Sequence, residues 1–157
     1  MDAYEQYGRA LLRKAERILG SRDDARDVVQ SLFVDLAGAP HAADFAYLYR
    51  AVTNRCITVL RDESNRARLR DRHDEALRGP PRTRVDDDVI GTDFLQKLVK
   101  ELEDGEAEVL AYRFLDDMTQ DEIAEALGLS RKTIGKRLDR IRAVVRRMRA
   151  EGERREP

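Results

Sequence analysis

The chain has 157 residues, 39% of them charged, and its 30 basic and 31 acidic side chains leave a formal net charge of −1. That length fits one domain or two small ones. The single cysteine, Cys56, excludes an internal disulfide and a cysteine zinc site, and the near-neutral balance excludes a surface that is basic all over.

No apolar run is long enough to span a bilayer, and the N-terminus lacks a signal-peptide pattern. A soluble, cytoplasmic protein without membrane insertion is expected. No strand alternation and no internal repeat stand out, so the chain reads as all-α, in two small helical domains.

Residues 1–65 read as three helices. The first, Tyr4 to Leu19, ends at Gly20 and offers Ala10, Leu11, Ala15, Ile18 and Leu19 as apolar positions. Ser21 or Asp23 caps the second. It runs to about Ala37 with Ala25, Val28, Val29, Leu32, Phe33 and Leu36 on its buried side. The opposite side shows Asp24, Asp27, Ser31 and Val34, with Gln30 at its edge. That face is either plain solvated helix or a docking surface for a basic partner helix.

After the loop Gly38-Ala39-Pro40-His41, a third helix runs from about Asp44 to Asn65, with Phe45, Leu48, Val52, Cys56 and Val59 facing the core. Its other side gathers Tyr47, Arg50, Asn54, Thr58 and Arg61. Rings and guanidinium planes stack on unpaired bases, amides read base edges, and arginines meet phosphates. The face therefore suits single-stranded DNA, although an ordinary exposed polar face is the commoner reading of such a pattern taken alone.

Residues 66–92 carry few apolar side chains and contain Gly79-Pro80-Pro81 and Asp86-Asp87-Asp88. They are expected to form a mostly flexible charged linker, with helix continuing to about Leu77 at the furthest.

Residues 93–150 form a second helical block, with the final residues frayed. In TQDE, Thr119 can cap a helix while Glu122 bonds back, which is a capping box. Ile123, Ala124 and Leu127 give that helix an apolar face, Gly128 can end it, Leu129 can fill the space between helices, and Ser130 can cap the next one. In the next helix Ile134, Leu138, Ile141, Val145 and Met148 repeat in steps of four and three as one buried stripe. Opposite lie Lys132, Lys136 and Arg140, with Thr133 beside them and Arg131 and Arg137 flanking the stripe. Two helices, a tight turn and a basic second helix match the layout of a helix that enters the DNA major groove and another that braces it. Charge supports a local footprint: acidic residues dominate from Asp93 to Ser130, basic ones from Arg131 to Arg149.

Catalytic readings find little support. His41 and His73 stand alone, no glycine-rich phosphate loop appears, and Asp86-Asp87-Asp88 reads as a solvated acidic loop rather than a cation site. No enzymatic activity, cofactor or metal is expected.

At this point the motifs carry a resemblance. DDARDVVQSLFVDL resembles region 2.2 of the extracytoplasmic-function (ECF, group 4) sigma factors of bacterial RNA polymerase. FAYLYRAVTNRCITVLRD resembles their regions 2.3 to 2.4, and LEDGEAEVLAYRFLDDMTQDEIAEALGLSRKTIGKRLDRIRAVVRRM their region 4. The resemblance implies a sigma2-like domain over 1–65, a linker over 66–92 and a sigma4-like domain over 93–150. It implies docking on the clamp-helix coiled coil of core RNA polymerase through Asp24, Asp27, Val28, Gln30 and Phe33. Tyr47, Arg50 and Asn54, with Thr58 and Arg61 on the same face, would meet the −10 element of promoter DNA. A flipped base would be held by the loop from Ala37 to Asp44. Arg131, Lys132, Thr133, Lys136, Arg137 and Arg140 would lie at the −35 element. The acidic linker would thread toward the polymerase active-site cleft, and an anti-sigma factor is implied as a further partner.

Several residues depart from the family pattern. Ser31 stands where Glu is frequent, Thr58 where Asp is, and Tyr47 where Trp is; Leu102-Glu103-Asp104-Gly105 replaces a Leu-Pro opening. Gly135 inside the second helix of the motif costs roughly 1 kcal/mol of helix propensity relative to alanine. A close approach to DNA and a small bend are both open reasons for it. Two other readings stay beside the sigma factor: a polymerase-independent helix-turn-helix regulator, and a sigma-like interaction protein that binds no DNA.

Overall fold

The computed structural model describes residues 2–37, 44–62, 83–85 and 88–155. The chain divides into two compact units, Met1–Pro81 and Arg82–Pro157. Both are helical, and the all-α class holds apart from one short hairpin.

The first unit consists of α1 (Ala3–Leu19), α2 (Arg22–Leu36) and α3 (Phe45–Arg61), each packed against the other two. The caps are local and polar. Asp2 accepts from the Tyr4 N–H, and Gly20 closes α1 at φ 67° with its N–H on Glu16 O. Ser21 rather than Asp23 caps α2, its Oγ accepting the Asp24 N–H at 3.2 Å. Asp44 accepts the Tyr47 N–H at 2.8 Å. Leu11, Ala15, Ile18, Val29, Leu32, Leu48, Val52 and Cys56 fill the centre. Each large aliphatic side chain buried there contributes roughly 1.5–3 kcal/mol.

The core face of α3 differs from the expected stripe. Thr53, Ile57 and Leu60 are buried, whereas Phe45 is exposed and Val59 only half-buried. A helix wedged against two neighbours buries a wider arc than a single stripe, which explains the added positions. Phe45 starts the helix and stays at the rim, against Tyr7 (5.2 Å between ring centroids) and Tyr49 (5.6 Å). Arg55, half-buried, reaches across to α2, donating to Ser31 Oγ at 2.9 Å and to Asp35 Oδ2. The expected extension of α3 to Asn65 ends at Arg61, and 63–65 lie outside the described residues, as do the His41 and His73 readings and the loop residues 38–43.

The second unit opens with β1 (Thr83–Val85) and β2 (Asp88–Ile90), an antiparallel pair in register Thr83↔Ile90, Arg84↔Val89, Val85↔Asp88. No strand was expected, and this pair falls within the stretch 66–92 read as a mostly flexible linker. Val85, Val89 and Ile90 favour extended backbone, and strands of three residues are too short to show alternation. The remainder of the linker reading, residues 66–82, lies outside the described residues, and so do Asp86 and Asp87 of the acidic loop.

Four helices follow: α4 (Thr92–Glu101), α5 (Asp104–Leu110), α6 (Gln120–Leu127) and α7 (Arg131–Arg155). A π-helical turn, Ala111–Leu115, widens the end of α5. The chain then reverses: the Met118 N–H returns to Tyr112 O, Arg113 Nη1 donates to Met118 O at 2.9 Å, and Asp117 takes φ 53°. Asp is one of the few side chains that tolerate this left-handed region. Helix α7 runs 25 residues, to Arg155, past the expected end of the block near Arg149. Its later turns are tied to α4 by Arg147 on Glu101 (2.8 Å) and Arg149 over the Phe94 ring (5.2 Å).

Candidate nucleic-acid interface

Local hydrogen bonds set where α6 starts and ends and where α7 begins. Thr119 Oγ1 accepts the Glu122 N–H at 3.1 Å, and Glu122 Oε1 accepts the Thr119 N–H at 3.2 Å. The exposed Glu122 carboxyl sits below its ordinary value because it accepts first from the Thr119 N–H and then from the Thr119 hydroxyl. Gly128 ends α6 at φ 66°, and the Leu129 N–H reaches back to Ala124 O at 2.9 Å. Only glycine takes that backbone conformation without a Cβ penalty. Ser130 Oγ then accepts the Thr133 N–H at 3.1 Å and starts α7.

The buried side of α7 is Ile134, Leu138, Ile141, Val144 and Val145, with Met148 half-buried. Lys132, Lys136 and Arg140 are exposed on the far side. Arg131 is exposed and 3.6 Å from Asp121, an ion pair so solvated that it contributes little. Thr133 is half-buried and paired with Ser130. Arg137 is not on the open face: it is half-buried, with its guanidinium over Gly105 and Nη1 3.5 Å from Gly105 O. Gly135 faces α6 rather than open space, since a Cβ there would lie 3.0 Å from Gln120 Nε2. Gln120 in turn donates to Arg131 O at 3.3 Å. The missing side chain thus lets the start of α6 rest on α7.

On α3, Tyr47 (52% exposed), Arg50, Asn54 and Thr58 form one open face, with Arg61 half-buried at its end. The Thr58 hydroxyl is turned to Asn54 O at 3.0 Å. On α2, Asp27 and Gln30 are exposed, Asp24 is half-buried, and Val34, at 72%, is the most open large apolar side chain among the described residues. Val28, expected among the docking residues, is only 7% exposed and belongs to the core. Phe33 is half-buried and meets the Tyr4 ring edge-on at 5.1 Å. Its position on the inner flank of α2 explains both. Gly105, Glu106 and Arg55 were not singled out from sequence. Gly105 meets Arg137, Arg55 meets Ser31 and Asp35, and Glu106 meets Arg140 besides its local bond to the Glu103 N–H; these partners on other helices lie 20 or more positions away, so no local spacing signals them. Among the described residues, no group of three His, Cys, Asp or Glu could hold a metal ion, and no helix is long and apolar enough to cross a membrane.

A three-helix unit with an open polar face, followed by a unit that carries a capped helix-turn-helix, is the build of a two-module transcription factor. A model of sigma-70 region 2 matches residues 3–66, and one of sigma-70 region 4 matches residues 95–144. The chain belongs to the sigma-70 family, in its extracytoplasmic-function group, whose members are non-enzymatic initiation factors acting with RNA polymerase at promoter DNA. It is also similar to the sigma factor RpoE of Bartonella quintana, solved in complex with the anti-sigma factor NepR: 15% identity, 92% of each chain covered, TM-score 0.48. No curated protein matches it.

Proposed function

We propose that this sigma factor directs core RNA polymerase to promoters by reading the −35 element with α7 and opening the −10 element with α3. The observation that carries the reading is the capped segment from Thr119 to Ser130 followed by Lys132, Lys136 and Arg140 on the open side of α7. Lysine and arginine at such positions neutralise phosphates and pair with guanine edges. Arg131 and Thr133 stand at the start of the same helix.

In the first unit, Asn54 offers an amide to an unpaired base, Tyr47 a ring for stacking, and Arg50 and Arg61 charge for the backbone. Thr58 lines the same face. Asp24, Asp27 and Gln30, beside the exposed Val34, form the surface for the polymerase clamp helices. In functional terms, residues 1–65 serve polymerase and the −10 element, 66–92 link, and 93–150 serve the −35 element. An anti-sigma factor is the further partner expected of the family.

The test is reconstitution. Core RNA polymerase plus this chain should start transcripts at a defined set of genomic sites, mapped by run-off. Tight binding of the isolated chain to duplex DNA, with no polymerase-dependent initiation, would instead favour a self-sufficient operator-binding regulator.

A further inference from the structure

The first turn of α5 rests against the middle of α7, through side chains that the helix-turn-helix pattern does not account for. A Cβ on Gly105 would lie 2.7 Å from Arg137 Nη1, 2.9 Å from Cζ and 3.2 Å from Nη2. The guanidinium therefore covers the glycine, with Nη1 3.5 Å from its carbonyl oxygen. One residue on, Glu106 is buried. Its Oε1 accepts the Glu103 N–H at 3.0 Å, and its Oε2 lies 3.9 Å from Arg140 Nε. Arg137 and Arg140 are three apart and so are neighbours on the helix surface. Two successive residues of α5 thus lie against two basic side chains of α7.

We propose that Gly105 and Glu106 form a positioning latch for the DNA-reading helix: Arg137 is a positioning residue rather than a DNA contact, and Glu106 restrains Arg140 in one orientation before DNA arrives. This rests on the reading of α7 as the −35 helix and deepens it. A long arginine left free can adapt to a wrong base; one already restrained discriminates better, because less ordering is needed at the right site. The Glu106 carboxylate also opposes indiscriminate attraction to phosphates by offsetting Arg140.

The experiment uses holoenzyme made with core polymerase and the full chain. Binding is measured to a promoter fragment found by run-off mapping and to one whose upstream element is scrambled, across a salt series. Gly105→Ala displaces only the end of a flexible arginine, so the fold is kept; thermal melting confirms this. Glu106→Gln keeps the cap acceptor and removes only charge. Both should lower the ratio of promoter to scrambled binding several-fold, and Glu106→Gln should raise binding to the scrambled fragment. Arg137→Gln should lower the same ratio without changing the salt slope, and combining it with Gly105→Ala should add nothing further. A phosphate contact would instead reduce the slope by about one. The latch is overturned by a slope change of that size in Arg137→Gln, or by an unchanged ratio in Gly105→Ala. Lys136→Ala reports on the underlying reading: a lost ratio there with no change in Gly105→Ala removes the latch alone, and no change in either removes both.

Discussion

Lys14 and Tyr49 meet inside the first unit: the ammonium nitrogen lies 3.7 Å from the ring centroid, and the lysine is 4% exposed. A cation held over a ring away from water gains up to about 2 kcal/mol, and the lysine stem adds packing. A double-mutant cycle with Lys14→Met and Tyr49→Leu should give a coupling energy of roughly 0.5–2 kcal/mol from urea unfolding. Strict additivity would show that the contact contributes nothing.

The two glycines of the helix-turn-helix should respond in opposite directions. Gly128 has open space around it but φ 66°, so Gly128→Ala should cost roughly 1–2 kcal/mol from backbone strain alone. Gly135 is helical, and among the described residues a Cβ there would meet only the end of the Gln120 side chain, which can swing aside at the loss of its long, exposed bond to Arg131 O. Gly135→Ala should therefore stabilise, by up to about 1 kcal/mol. Melting temperatures that move the same way for both variants would contradict this account.

The capping box makes a pH prediction with a definite sign. Glu122 has a lowered value in the folded chain, so its ionised form contributes stability in full above its unfolded value. That contribution is lost as pH falls through the lowered folded value. Gln at this position keeps the hydrogen-bond acceptor. The melting temperature of Glu122→Gln should lie below that of the parent at neutral pH and converge on it in acid. Thr119→Ala should cost about 1 kcal/mol.

Asp27 is exposed, so Asp27→Arg should leave stability within about 0.5 kcal/mol. The charge reversal should still weaken binding to core polymerase roughly tenfold or more, about 1.4 kcal/mol. Normal core binding would remove α2 as the docking surface.

Asn54→Ala should leave closed-complex formation intact, slow strand opening, and also weaken binding to a template already unpaired at the −10 element, because the amide meets the unpaired base. Lys136→Ala should lower use of the upstream element by roughly 1–3 kcal/mol while core binding is unaffected. Unchanged binding of Asn54→Ala to the unpaired template would remove α3 from the opening step.

The parts of the fold set by neighbours in sequence were legible in advance. Thr119 with Glu122, Gly128 and Ser130 act within four residues of themselves, and so their turn was readable from the chain. Three features were not. The strand pair Thr83–Val85 and Asp88–Ile90 is too short to leave a period. The buried arc of α3, with Thr53, Ile57 and Leu60, widens because α1 and α2 both press on it. Arg137 belongs to a basic run and looks like a DNA contact, yet its position depends on a glycine 32 residues earlier in the chain, which no periodicity reveals.

Because α7 is one unbroken helix of 25 residues, about 37 Å long, its two ends move as a single rod. A fluorophore on an exposed position such as Glu153 would ride on the same lever as Lys132. Its anisotropy and distance to a labelled promoter would then record the tilt of the helix during initiation without touching any residue near the bases.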